Sequence, residues 1–186
     1  RRLIGRNVAQ SHRAARRLLP CDSPHGYNPG GMTSFPEPSG GLFAGPVHRF
    51  AVRVYFEDTD LSGMVYHANY LRWFERARSD ILRLLGIGQR SAHEAGAGVY
   101  AVADLAIRYL APARLDDAVL IESRVEEIRA ASCRMLQRAL RGETLLSEAR
   151  LRIGFVGPDG RPRRQPDAWR AAFAAVASAP LQEGNP

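Results

Sequence analysis

Residues 48–86 read HRFAVRVYFEDTDLSGMVYHANYLRWFERARSDILRLLG, and this stretch passes from one secondary-structure period to another. Phe50, Val52, Val54 and Phe56 alternate with Ala51, Arg53 and Tyr55, which predicts a half-buried strand. From about Ala68 the spacing changes. Leu71, Phe74, Ile81 and Leu85 fall on one helical stripe, widened by Tyr70, Trp73, Ala77 and Leu84, and Gly86 marks the stop. The expected helix over 68–85 is about 27 Å long at 1.5 Å per residue. At the junction sit three acids within four residues, Glu57, Asp58 and Asp60.

Downstream, a glycine-bearing loop through Gly96 and Gly98 leads to a second alternating stretch, 99–110. There Val99, Ala101, Ala103, Leu105, Ile107 and Tyr109 are expected on one face, with Pro112 ending the run. Residues 118–128, 132–141 and 143–156 read as three further strands, the last two forming a hairpin around Gly142. Pro158, Asp159 and Gly160 make a turn, and 167–177 is a short C-terminal helix capped by Asp167. Strand, long helix, then four strands define an α+β class: one curved antiparallel sheet of about five strands around one long helix. One helix cannot cover both faces of such a sheet, so association with another copy is expected.

The chain has 186 residues, 45% of them apolar, enough for one domain of ordinary size and too little for two large ones. The two cysteines, Cys21 and Cys133, give neither a disulfide framework nor a metal knuckle, so a reducing compartment, the cytoplasm, is expected. All 26 basic residues are arginine, which removes Schiff-base and phosphate-loop lysine chemistry. Net charge is +7, of which residues 1–46 hold +4 (six arginines, two acids), leaving +3 for the remainder. A nucleic-acid partner is not expected, because it wants the basic charge on the folded body. Stable membrane insertion is not expected either, since no run approaches the ~18 apolar residues a spanning helix needs.

Residues 1–46 contain seven of 17 glycines and six of 12 prolines and are read as a flexible tail, with 47–177 the folded domain and 178–186 a second tail. The acid-free, arginine-rich start, RRLIGRNVAQSHRAARRLL, has the composition of an organelle transit peptide. The preferred reading instead takes Met32 as the natural start.

The acidic junction admits three readings. One of the acids is explained by the positive end of the coming helix. A calcium loop matches at Asp58, Asp60, Ser62 and Gly63, but its twelfth position is Asn69 where a bidentate Glu is needed, so no metal is expected. In the catalytic reading, Asp60 lies beside the unpaired N–H groups of a helix N-terminus near His67 and Ala68. That arrangement is half of an acyl-transfer site. Asp60 would attack a carbonyl or activate water, and His67 would orient that water or protonate a leaving group.

The run from Arg53 to Tyr70, followed by Phe74, Glu75, Arg76 and Ala77, resembles the 4-hydroxybenzoyl-CoA thioesterase family of hotdog-fold proteins. Within that family it is most similar to the acyl-CoA thioesterases associated with the Tol-Pal system. A second patch agrees: Tyr109, then Ala111 to Asp117. The resemblance covers about residues 47–172. It implies a hotdog fold, assembled as a dimer or a dimer of dimers (a homotetramer), and hydrolysis of an acyl-CoA to free acid and CoA. Coenzyme A would be part of the substrate and no other cofactor would be needed. It also implies Asp60 as nucleophile or general base, His67 as the histidine of the site, and substrate contacts at Gly63, Val65, Tyr66 and Ala68. Arg129 falls where relatives carry a basic cluster for the nucleotide, and the acyl pocket would form between subunits. An acyl carrier protein is a further partner under this reading. Its rival is a binding module for acyl-CoA or acyl carrier with little turnover. Phe56 and Met64 depart from the family's usual residues.

Overall fold

The computed structural model describes residues 38–177; the transit-peptide and Met32 readings and the 178–186 tail lie outside these residues. Its strands are β1 (Leu42–Ala44), β2 (Val47–Arg53), β3 (Val99–Tyr109), β4 (Ala118–Ile128), β5 (Ser132–Arg141) and β6 (Thr144–Val156). Its helices are α1 (His67–Leu84), α2 (Gln89–Glu94) and α3 (Asp167–Val176). The strands form one six-stranded sheet in the order β1-β2-β4-β5-β6-β3, every neighbour antiparallel. This is the expected α+β architecture, with one strand more than the sequence predicts.

That strand is β1, which lies inside the stretch assigned to the tail and pairs Leu42 with Arg49 and Ala44 with Val47. Three residues between glycines carry no readable period. What fastens them is Asp80 on α1, buried, whose Oδ2 accepts the Gly41 N–H at 2.8 Å and the His48 Nε2–H at 2.9 Å. A Cβ at Gly41 would meet Arg49 O and His48 Nε2 at 2.5 Å, so only glycine lets the chain pass.

The long helix lays Tyr70, Trp73, Phe74 and Ala77 against Val54, Val119, Ile121, Ala139 and Ala149 on the inner sheet face. Farther along, Ile81 and Leu82 join Val125, Met135, Leu151, Ile153 and the Phe173 side chain of α3 in a second cluster. Both clusters bury the apolar stripe of α1 against the sheet, which is how an amphipathic helix is stabilised there.

Three local expectations are corrected. The first full strand ends at Arg53; Phe56 falls in a single 3₁₀ turn, Phe56–Asp58, and is 81% exposed. The loop after Gly86 contains α2, whose single buried residue, Ala92, is too weak a signal to read. In β3 a register shift between Val102 and Asp104 inserts one residue against β6. Tyr100 and Val102 therefore share the inner face with Leu105 and Ile107, while Val99 and Ala101 face the other way.

Candidate active site

The chain between β2 and α1 is held at both sides of a tight loop. Thr59 and Val65 pair across it, Asp60 N–H donates to Met64 O at 2.9 Å, and Gly63 N–H donates to Asp60 O at 2.9 Å. Gly63 sits at φ +71°, a left-handed conformation that costs a side-chain-bearing residue about 1 kcal/mol or more. The loop is latched to the body from below. Asp58 O accepts the Tyr66 N–H and the Asn69 Nδ2–H, both at 2.8 Å, and Val65, buried, donates its N–H to Ala113 O at 2.9 Å. Ala113 N–H in turn donates to the Tyr70 hydroxyl at 3.1 Å. The two patches that carry the sequence resemblance are thus one contiguous structure.

The loop presents Asp60 to solvent. One carboxylate oxygen, Oδ1, accepts both the Ser62 N–H, at 2.8 Å, and the Ser62 hydroxyl; Oδ2 makes no protein hydrogen bond among the described residues. The Ser62 hydroxyl, then its N–H, hold the Asp60 carboxyl below its usual value of 3.8, and the charge of His67 acts in the same direction. Asp60 is therefore a fixed carboxylate with one oxygen free. Sequence reading placed Ser62 only in the calcium loop and not as the partner of Asp60, although Asp-x-Ser is the signature of a side chain folding back on its own backbone.

His67 is the first residue of α1 and is exposed, its ring 4.4 Å from that of Tyr66 and 6.1 Å from that of Tyr109. The Tyr109 hydroxyl donates to His67 O at 3.0 Å, which ties the first turn to β3. Tyr66 is the N-cap and gives the helix no side-chain cap. Among the described residues the His67 and Ala68 N–H groups have no protein acceptor, so the positive end of a five-turn helix is open beside Asp60. The calcium reading loses its geometry here: the Asp58 carboxylate turns away to the Tyr55 N–H at 2.9 Å, while that of Asp60 turns to Ser62.

The structure thus brings Asp60, Gly63, Val65, Tyr66, His67 and Ala68 together on one loop and one helix end. It does not bring Arg129 to them. Arg129 follows the far end of β4, an 11-residue strand whose near end adjoins the loop's anchor, and its Nε donates to Glu127 at 2.7 Å. The cation beside the loop is Arg114, whose Nη1 reaches Gly63 O at 3.5 Å.

A cleft opens elsewhere, between the second half of α1 and β3. Leu82, Met135, Ile153 and Phe173 form its apolar wall, and Glu75, Arg78, Ser79 and Gln89 its rim. Gln137, wholly buried, donates to Phe74 O at 3.0 Å and Ser123 Oγ at 2.9 Å, and accepts from Arg78 at 2.8 Å, which fixes the guanidinium against Glu75. Burial pushes the Cys133 thiol in this wall up to about 12, so it is no nucleophile at neutral pH. Glu75 lies about 12 Å along the helix from His67, and Leu82 about 22 Å. The cleft and the Asp60 loop of one chain therefore lie apart.

A sheet wrapped around one long helix, with a carboxylate loop at the helix mouth, is the hotdog arrangement of thioesterases. Residues 54–179 match the family model of the thioesterase-like superfamily, and the chain belongs to that family. It is 41% identical over 125 residues to the acyl-CoA thioesterase YbgC of Haemophilus influenzae, covering 67% of this chain and 92% of that one. A solved structure of a probable thioesterase from Bartonella henselae superposes with a TM-score of 0.62 at 38% identity, over 64% of this chain and 99% of that one. A thioesterase from Thermus thermophilus, solved with coenzyme A and Zn, gives a TM-score of 0.60 at 27% identity, over 73% of this chain and 97% of that one. No helix among the described residues is long and apolar enough to cross a membrane.

Proposed function

We propose that this thioester hydrolase cleaves an acyl-CoA to a carboxylic acid and free CoA, with Asp60 as its nucleophile. The observation that carries the reading is a carboxylate with one free oxygen, fixed by Ser62 beside two unpartnered N–H groups of a helix N-terminus. A depressed basicity suits attack on carbon better than proton abstraction near neutral pH. Oδ2 bonds to the thioester carbonyl carbon while the His67 and Ala68 N–H groups hold the developing oxyanion. The C–S bond breaks to release the CoA thiolate, which His67 protonates. Water then splits the acyl–aspartyl anhydride and returns the carboxylate. A thioester is electrophilic enough for this apparatus, where an amide would demand more.

The acyl group fits the apolar cleft, and the site is completed by a second copy. β3 is an 11-residue edge strand with Val99, Val102 and Tyr109 exposed, an unpaired ladder that a soluble protein covers. Antiparallel pairing of β3 with its counterpart extends the sheet and sets one copy's Asp60 near the other's cleft. The CoA phosphates are met by arginine, Arg114 beside the loop and Arg129 from a further copy. The setting is the cytoplasm, and the assembly is a dimer or a dimer of dimers. An acyl carrier protein in place of CoA would need the same loop and helix mouth.

The test is thiol release from a panel of short, long and aromatic acyl-CoAs by wild type and Asp60→Asn. The substitution keeps the acceptor for Ser62 and removes the charge, so turnover should fall at least about a hundredfold with the fold intact. During the first turnover CoA should appear ahead of free acid; the two appearing together assigns the carboxylate to water instead. Wild type that binds CoA and cleaves nothing is a binding module.

A further inference from the structure

The side chains that alternate outward from the core lie on a sheet face that no helix among the described residues covers, because the buried residues of α1 and α3 pack on the opposite face. Pairing registers place those outward residues in rows. Arg49, Glu122, Arg138, Glu148 and Arg108 form one, Arg124, Leu136, Arg150 and Ala106 the next, and Glu127, Arg134, Arg152 and Asp104 a third. Most of the acids there are engaged: Glu122 with Arg49, Glu148 with Arg138, and Glu127 with both Arg129 and Arg134. Among the described residues, the side chains of Arg108, Arg124, Arg150 and Arg152 have neither an ion-pair nor a hydrogen-bond partner, and of the remaining acids Asp104 and Glu126 pair with none of them. Leu136, between Arg124 and Arg150 in register, is only 4% exposed on this face, so the arginines stand over an apolar strip.

We propose that this face is a docking surface for an anionic lipid bilayer, on which the enzyme rests without inserting. Charge complementarity selects the class of partner, and the shape of the surface selects within it. The face is a broad sheet without a groove and with no exposed aromatic side chain in the three rows. It therefore lacks the anchors that a protein interface or single-stranded nucleic acid would use. Arginine forks on a broad face match a diffuse layer of lipid phosphates. If β3 pairs with a second copy as proposed above, the two faces lie in one continuous sheet and bind together, which raises avidity without new contacts. A membrane-adsorbed enzyme would meet those acyl-CoAs that partition into lipid.

The test uses the full chain with vesicles of phosphatidylglycerol and of phosphatidylcholine, in co-sedimentation at low and high salt. Wild type should bind only the phosphatidylglycerol vesicles and come off in high salt. Each arginine facing the bilayer is worth about fivefold, so the triple variant Arg124→Gln, Arg150→Gln, Arg152→Gln should lose about a hundredfold. The triple Arg72→Gln, Arg90→Gln, Arg161→Gln removes the same charge from exposed positions elsewhere and should lose less than about threefold. Lysine at positions 124, 150 and 152 should restore binding, and turnover of a short, soluble acyl-CoA should stay unchanged in all variants. Equal losses in the two glutamine triples would overturn the proposal, as would no binding to phosphatidylglycerol. A drop in oligomeric mass in the 124/150/152 glutamine triple would reassign the face to a contact between copies, and tighter binding to duplex nucleic acid than to vesicles would reassign it to that partner.

Discussion

If the Asp60 loop works on the cleft of a second copy, two individually dead variants should rescue each other. Asp60→Asn removes the carboxylate and leaves the cleft intact. Ser79→Phe puts a ring across the cleft rim and leaves the loop intact, because Ser79 lies 12 residues beyond His67 on α1, about 18 Å away. Neither change disturbs the fold much: Asp60 is exposed, and Ser79 bonds only Glu75 and Gln89, both exposed. In a symmetric dimer with two shared sites, equal co-expression makes half of the dimers mixed. Each mixed dimer holds one site with both halves intact and one with both broken, so thiol release should return to about half of the wild-type rate in purified mixed dimers and about a quarter in the unfractionated mixture. The assay is acyl-CoA turnover by doubly tagged, co-purified mixed dimers against each parent. Mixed dimers no faster than the parents would place cleft and carboxylate in one chain's site and refute the argument.

The acid limb of kcat/KM should lie below pH 3.8, because Ser62 holds the Asp60 carboxyl beneath that value. In the proposed mechanism the ionised carboxylate is the nucleophile, so activity should be present above the limb and lost as pH falls through it. Ser62→Ala removes the larger of the two donors and should move the limb upward; a wild-type limb at about pH 6 would contradict a carboxylate so stabilised. His67→Ala keeps the backbone N–H groups and should lower kcat about ten- to a hundredfold with little change in KM; loss confined to KM would make His67 a binding residue. Asp80→Ala leaves the Gly41 N–H and the buried His48 Nε2–H without an acceptor. At about 1–3 kcal/mol each, this should cost about 2–6 kcal/mol, a fall of roughly 5 °C or more in Tm read by calorimetry. A fall of only a degree or two would mean that β1 is not fastened through Asp80.

The sequence run 48–86 made most of this legible because one short stretch has to do several things at once. Its period changes from two to 3.6 across the acids, so strand, loop and helix, and hence the position of Asp60 at the helix mouth, follow from spacing alone. The interior strands β4 and β5 were equally plain over most of their length, since every second residue of 119–125 and of 133–139 faces the core. Where the period is broken by backbone geometry, the reading fails. β1 is three residues held by a side chain 36 positions away from its last residue, the β3 bulge swaps faces in the middle of an alternating run, and Phe56 continues the strand's pattern after the strand has ended.

The cleft was illegible for a different reason, and that reason bears on how the site works. Its apolar wall is built from α1, β3, β5, β6 and α3, elements spread from Ile81 to Phe173, each residue of which reads in isolation as ordinary core. Only the buried Gln137, tying Arg78 to the rim, marks the place as something other than packing, because a wholly buried amide with its donors and acceptor all engaged is a costly way to fill space. Under the proposed function the chemistry resides in one contiguous run and the selectivity in scattered residues. Substitutions around the cleft can then retune the acyl group accepted while the carboxylate loop and helix mouth stay as they are.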